Sequence, residues 1–283
     1  QGERFSSKSD SEILLRLYQR QGLEATLPLL RGEFAFALFD QAEDCLYLVR
    51  DRFGIKPQYW AMTPEGLVFG SELKVLFAHP AVERRFTSEG LFHQLMQTMV
   101  PGTTAFAGVH QVQPGHVLKV QRVNGRLQVS ESTYWDVNFP RKDERDSNRT
   151  EAEHIAAVRA ALLEAVELRM VADVPVGCYL SGGIDSCSIL GLASAVSQAP
   201  VKAFTIGFDD ARYDESPIAR EMAEATGAEQ DLMRLSGQEL YGHMERTIWH
   251  AERTIYNTLA VAKFLMSRHV NDVDYKVVMT GEG

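Results

Sequence analysis

The chain is poor in cysteine and has no long apolar run. Three cysteines, Cys45, Cys178 and Cys187, are scattered through 283 residues. They are odd in number and show no metal-ligand spacing, which points to a reducing, cytoplasmic setting. No apolar stretch reaches the roughly 20 residues that cross a bilayer, and the polar start has no signal-peptide core, so no membrane role is expected. Basic residues are outnumbered, 29 against 38 acidic, for a net charge of −9. With no Lys/Arg-rich block, nucleic acid is not an expected partner. The eight histidines form no His-Glu-x-x-His or comparable zinc pattern. Internal repeats and low-complexity tracts are also absent.

What remains is a globular composition, 45% hydrophobic, long enough for two domains. Its most informative segment is Ser181-Gly182-Gly183-Ile184-Asp185-Ser186, set between an apolar run (174–180) and a helix-like stretch beginning at Cys187. A strand, a glycine-rich turn and a helix start together make a phosphate cradle. Glycine lets backbone N–H groups approach the anion, and the helix N-terminus adds positive dipole. Ser181 and Ser186 supply hydroxyl donors, and Asp185 can hold a metal ion that bridges phosphate oxygens. No Gly-Lys-Ser/Thr follows and the turn is not Gly-x-Gly-x-x-Gly, so neither a Walker loop nor a dinucleotide turn is present. The segment reads as a grip for the pyrophosphate end of ATP. A plain turn with Asp185 as a helix N-cap is the alternative.

The first 135 residues or so are strand-rich. Residues 32–40 and 45–50 read as a hairpin, and 67–70 and 117–120 as further strands. A helix carrying Ile13, Leu14 and Tyr18 precedes them, with Ser11 as its expected cap. The charged stretch from Pro140 to Thr150 reads as a linker between domains at 1–139 and 151–283. Thr150 and Glu153 fit a capping box. In the helix that follows, Ile155, Val158, Leu162 and Val166 recur at helical spacing and predict one buried face. Beyond it, apolar strands (174–180, 201–208, 275–279) alternate with helices (187–196, 216–226, 259–269). That alternation predicts an α/β domain with a parallel sheet flanked by helices. Ligands of such sheets bind outside the carboxyl ends of the strands, where the loops 181–186, 207–215 and 280–283 would converge.

Ser-Gly-Gly-x-Asp-Ser resembles the signature of the PP-loop ATP pyrophosphatases, which cleave ATP to AMP and pyrophosphate while adenylating a substrate. Asp173-Val174-Pro175-Val176-Gly177-Cys178-Tyr179-Leu180, Phe204-Thr205-Ile206-Gly207-Phe208 and Thr280-Gly281-Glu282-Gly283 are similar to glutamine-hydrolysing asparagine synthetases. Ser9-Asp10-Ser11-Glu12, Gly32-Glu33-Phe34-Ala35-Phe36-Ala37, Arg50-Asp51-Arg52-Phe53-Gly54-Ile55-Lys56-Pro57 and Gly70-Ser71-Glu72-Leu73-Lys74 resemble the back half of that family's class II glutamine amidotransferase domain. The resemblance implies a partial α+β domain of the N-terminal nucleophile type, followed by the α/β PP-loop domain. It also implies the chemistry. Glutamine yields ammonia, ATP and aspartate yield β-aspartyl-AMP, and ammonia attacks that anhydride.

Carried over residue by residue, Ser181, Gly182, Gly183, Asp185 and Ser186 hold the pyrophosphate, with Asp185 also the metal ligand for Mg²⁺. Leu180, Ile206 and Gly281 face the adenosine, with Thr280 where the family usually has serine. Glu282 is the catalytic candidate, an acid near the activated carboxylate that assists proton removal from ammonia; a helix cap is its other reading. Asp10 would hold the α-amino group of glutamine, or cap a helix. Arg50, Asp51, Arg52 and Lys56 read as braces of a turn and a domain interface. Asp214 and Glu215 either order a loop near Mg²⁺ or cap the helix at Ser216. The expected partners are glutamine, aspartate and ATP, with a homodimer compatible by resemblance alone.

The family's glutaminase nucleophile is an N-terminal cysteine, whereas position 1 is Gln1 and no cysteine precedes Cys45. The segment is therefore expected to be interior to a longer enzyme and inactive by itself. Relatives that amidate another carboxylate, including β-lactam-forming enzymes that dispense with the cysteine, remain an alternative. A noncatalytic scaffold would have no use for the phosphate cradle. A tRNA-modifying PP-loop enzyme would want a basic surface.

Overall fold

The computed structural model describes residues 5–98, 100–144 and 148–282. Gln1, the linker residues Arg145, Asp146 and Ser147, and Gly283 lie outside the described residues. Two compact units emerge, one of Gln1–Pro140 with Glu252–Thr254, the other of Arg141–Ala251 with Ile255–Gly283.

The first unit opens with helix α1 (Asp10–Thr26), capped by Ser9 rather than by the expected Ser11. Ser9 is extended (φ −78, ψ 136) and accepts from the Ser11 N–H, so Ser11 already lies inside the helix. The predicted hairpin forms as β1 (Ala35–Asp40) and β2 (Cys45–Arg50), paired antiparallel with Asp40 opposite Cys45. Asp40 Oδ1 accepts from Ala42 N–H and Glu43 N–H, which ties the turn. Further along come β3 (Tyr59–Thr63), β4 (Gly66–Gly70), the single helical turn α2 (Leu73–Leu76), α3 (Ser88–Leu95), β5 (Val109–Gln111), β6 (His116–Val123) and β7 (Arg126–Thr133). They complete a four-stranded sheet, β1-β2-β6-β7, and a three-stranded one, β4-β3-β5, both antiparallel. Alternation along β2 sends Leu48 to one core, with Leu118 and Val120, and Val49 to another, with Leu27 and Val117.

Asp51 organises the turn after β2. Its carboxylate, almost wholly buried, accepts from the backbone N–H groups of Phe34, Phe53, Ile55 and Lys56 at 2.9–3.3 Å. Arg50, also buried, donates to the carbonyls of Gly54, Lys56 and Val112. These charges brace a turn, as read from the sequence. In the same unit the Glu252 carboxylate accepts from Leu73 N–H (2.6 Å) and Lys74 N–H (2.7 Å) at the start of α2.

The second unit starts with α4 (Glu151–Arg169), whose capping box between Thr150 and Glu153 is intact. Then follow β8 (Val176–Tyr179), α5 (Ile184–Val196), β9 (Lys202–Phe208), α6 (Ser216–Thr226), β10 (Glu229–Leu235), α7 (Gly237–Gly242), α8 (Met244–Ala251), α9 (Leu259–Asp272) and β11 (Val277–Met279). The four strands form one parallel sheet in the order β10-β9-β8-β11. Cys178 and Ala203 face a core shared with α4, α5 and α6, while Phe204 and Tyr179 pack with Met266 and Val270 of α9. Helices therefore cover both faces. Burial pushes the Cys178 thiol up to about 12.

One expectation fails here. Val166 is buried, but Ile155 (61% exposed), Val158 (59%) and Leu162 (43%) are not. Helical spacing identifies a shared face without saying what covers it. Only the last turns of α4 reach the core, and the earlier ones line a groove of about 750 Å³ beside α5. No described helix is long and apolar enough to cross a membrane.

Candidate functional site

The strand order locates the site. The chain builds β8, β9 and β10 outward in one direction, then returns to place β11 on the other side of β8. The strand order thus reverses at the β8/β11 boundary, and in open sheets of this kind ligands bind in the crevice at the carboxyl ends of the strands, where the order reverses. A cavity of about 980 Å³ lies there, lined by Leu180, Ser181, Gly183, Asp185, Ser186, Ile206, Thr280, Gly281 and Glu282 among others.

The loop after β8 is shaped by its own hydroxyls. Ser186, largely buried, donates from Oγ to the Gly183 carbonyl (3.1 Å) and accepts from the Ser181 N–H (3.2 Å). The Ser181 hydroxyl stands 3.1 Å from the same oxygen. Gly182 takes φ +83, a left-handed conformation that favours glycine, and packs toward Ile218; it is not part of the cavity wall. Gly183 is the N-cap of α5 and offers no side-chain cap to the helix N–H groups. A Cβ at Gly183 would meet only Ser181 Oγ, at 3.6 Å, so the space over the helix start is open. Open N–H groups, two hydroxyls and a helix dipole are the requirements of an anion cradle.

Gly281 closes the other side. A side chain there would put Cβ 2.5 Å from Ser186 N and 2.6 Å from the Asp185 carbonyl carbon. Leu180, buried, hydrogen-bonds from its N–H to the Phe204 carbonyl (2.8 Å) and forms the apolar wall with Ile206. Thr280 accepts weakly at Oγ1 from the Glu282 N–H (3.4 Å).

The loop after β9 also arrives, through Phe208, Asp209, Asp210, Tyr213 and Glu215. Asp214 is not on the wall. It accepts from Ser216 N–H (3.1 Å) at the start of α6, and Ser216 together with Arg234 holds its carboxyl below the usual range. Asp214 thus acts at the helix start, and Glu215 lines the cavity.

Lys263 is a site residue that only the structure reveals. It lies on α9, lines the cavity, and its ammonium bonds both carboxylate oxygens of Glu282. A lone lysine in a helix carries no local signal, and its partner is 19 residues away. Among the described lining residues it is the one cation beside Asp185, Asp209, Asp210, Glu215 and Glu282.

Asp185 has no ready-made metal cage: among the described residues no three His, Cys, Asp or Glu side chains are grouped to hold an ion. A single carboxylate beside a phosphate cradle does suit Mg²⁺, which is commonly held by one or two carboxylates plus substrate phosphates.

Asp10 belongs to the first unit. It is exposed, opens α1, and accepts from Ser11 Oγ at 3.4 Å. Cys45 is buried within β2.

Two family matches cover most of the chain. Residues 1–135 match the glutamine amidotransferase domain and 157–283 match asparagine synthase. Amidase chyE of Penicillium rubens is 36% identical over 99% of this chain and 42% of its own length. Amidase chry2 of Gibberella zeae is also 36% identical, over 99% and 43%. Asparagine synthetase [glutamine-hydrolyzing] 1 of Bacillus subtilis is 32% identical over 100% and 43%. The chain thus spans less than half the length of these relatives. With a glutamine amidotransferase domain followed by an asparagine synthase domain, the chain belongs to the asparagine synthetase type of protein.

Proposed function

We propose that the cavity binds ATP and that the whole protein is an ATP-dependent carbon–nitrogen ligase drawing ammonia from glutamine. The observation that carries this reading is the meeting of Gly281 with the Asp185–Ser186 backbone at the β8/β11 boundary, which brings the cradle and the 280–282 segment to one cavity. In this reading the pyrophosphate rests on Ser181, Gly183, Asp185 and Ser186, while Gly182 sets the turn of the loop from outside the cavity wall. The adenosine lies toward Leu180, Ile206, Thr280 and Gly281. When bound, Mg²⁺ would be held by Asp185 and phosphate oxygens, and would neutralise charge as pyrophosphate departs.

The chemistry runs in two halves. An acceptor carboxylate oxygen attacks the α-phosphorus of ATP, and pyrophosphate leaves. Ammonia then attacks the acyl carbon, a C–N bond forms, and the C–O bond to AMP breaks with its electron pair leaving on AMP. Glu282 takes the surplus N–H proton and passes it to solvent. The apolar wall limits access of water, which would otherwise hydrolyse the anhydride. Asp10 is assigned to the α-amino group of glutamine, since a carboxylate suits an ammonium. The amidotransferase part would be of the N-terminal nucleophile type and span 1–139, with 140–150 as linker and 151–283 as the ATP-binding part. A cytoplasmic setting and a homodimer belong to the same reading.

For the acceptor, aspartate is the first candidate, giving asparagine. A second carboxylate acceptor is favoured by a specific observation: the two amidases named above are 36% identical to the chain, against 32% for the asparagine synthetase. ATP–pyrophosphate exchange with the full-length protein separates them. Aspartate-dependent exchange supports asparagine formation. Exchange with other carboxylates but not aspartate moves the protein to the second reading, and no exchange with any carboxylate rejects both.

A further inference from the structure

We propose that Lys263 is a positioning residue for Glu282, holding that carboxylate in one orientation at the cavity edge. The inference rests on the ATP-dependent amide-forming reading above. Glu282 lies just beyond the three-residue strand β11, after a bend at Gly281, and its side chain is 69% exposed. A glutamate so placed has many rotamers open to it, and ordering a long side chain costs entropy. Lys263 stands on firmer ground: its neighbours Val261, Ala262, Leu265 and Met266 on α9 are all buried. The helix is therefore anchored, and the ammonium it presents engages both oxygens of Glu282.

Stability does not explain the pair. Exposed ion pairs contribute little to stability, and Lys263 is 43% exposed. Charge explains it better. Four further carboxylates, Asp185, Asp209, Asp210 and Glu215, line the same cavity, so without Lys263 the Glu282 carboxylate would turn outward toward solvent. With Lys263 in place, one oxygen edge stays directed by the pair. That suits a group that takes a proton in only one half of the reaction, where orientation decides the rate. The adenylating half moves no proton and makes no demand on Glu282.

The test uses the full-length protein and the variants Lys263→Met, Lys263→Arg, Glu282→Gln and Lys263→Met/Glu282→Gln. ATP–pyrophosphate exchange reports the first half, and amide formation from an ammonium salt reports the whole. For Lys263→Met we expect amide formation to fall about tenfold through kcat, with the KM of the acceptor unchanged and exchange altered far less. Lys263→Arg should recover most of the loss. The double variant should be no slower than Glu282→Gln, since a positioning residue has nothing left to position. Three results overturn the inference: an unchanged amide rate in Lys263→Met, an equal fall of exchange and amide formation, or losses that multiply in the double variant. Absence of exchange in the unsubstituted protein is a separate result, and it removes the functional reading together with this inference.

Discussion

Gly281 and Ser186 are in backbone contact across the boundary between β11 and β8: a Cβ at position 281 would stand 2.5 Å from the Ser186 amide nitrogen. Neither backbone can yield without moving a strand end or the first turn of α5. Gly281→Ala should therefore destabilise the protein by about 1–3 kcal/mol, the usual range for an overpacked site. It should also weaken ATP binding more than tenfold, because the same shift deforms the cradle. Thermal melts and nucleotide titration check both. Unchanged ATP affinity in Gly281→Ala would separate Gly281 from the site.

The turn after β2 makes a different prediction. Asp51 satisfies four backbone N–H groups at once. Asp51→Ala leaves them without that acceptor in a buried setting, and hydrogen bonds to charged groups contribute about 1.5–3 kcal/mol each in favourable cases. A loss of at least about 3 kcal/mol is expected in urea unfolding of the first unit. A loss below about 1 kcal/mol would contradict the bracing role.

How legible was this in the sequence? Local signals carried well. The Thr150–Glu153 box, the 35–50 hairpin and helix α6 all stand where composition and spacing put them. Two serines flanking Asp10 could each cap α1, and only the backbone angles decide for Ser9. β10 gives no strand signal of its own, because Glu229-Gln230-Asp231-Leu232-Met233-Arg234-Leu235 carries three charges in seven residues, a pattern suited to an edge strand. Most of the α4 face stays exposed against expectation, because periodicity is blind to partners. At the site, the glycine-rich loop announced itself, whereas Lys263 depends on a contact 19 residues away and left no trace in local pattern.

Glu12 predicts a pH response. Its carboxylate accepts from Ser6 N–H, Ser7 N–H and both hydroxyls, and these bonds, led by the Ser6 backbone, lower it from 4.5 to about 2. A depressed folded-state value means the tether is fully present above the ordinary pKa and is lost only as pH falls through the folded one. The Ser6 and Ser7 amide resonances should thus stay at their neutral-pH positions down to about pH 3.5. Titration of those amides with a midpoint near 4.5 would contradict the tether.

The thiols predict a labelling pattern. Cys45 and Cys178 are buried, and burial lifts Cys178 to about 12, so its reactive thiolate is scarce at neutral pH. Cys187 is partly exposed, with its thiol also raised by burial. Native alkylation at neutral pH should reach Cys187 alone, and slowly, as read by peptide mass analysis. Rapid modification of Cys178 in the folded protein would show that the β8 core opens far more readily than its packing allows.

Whether the Ser181–Ser186 loop grips ATP is decided by isothermal titration of MgATP into the full-length protein and its Ser181→Ala/Ser186→Ala variant. Saturable binding by the unsubstituted protein is expected, with at least a tenfold weaker Kd in the variant and folding retained. No binding to the unsubstituted protein, or equal affinity in the two, would contradict it.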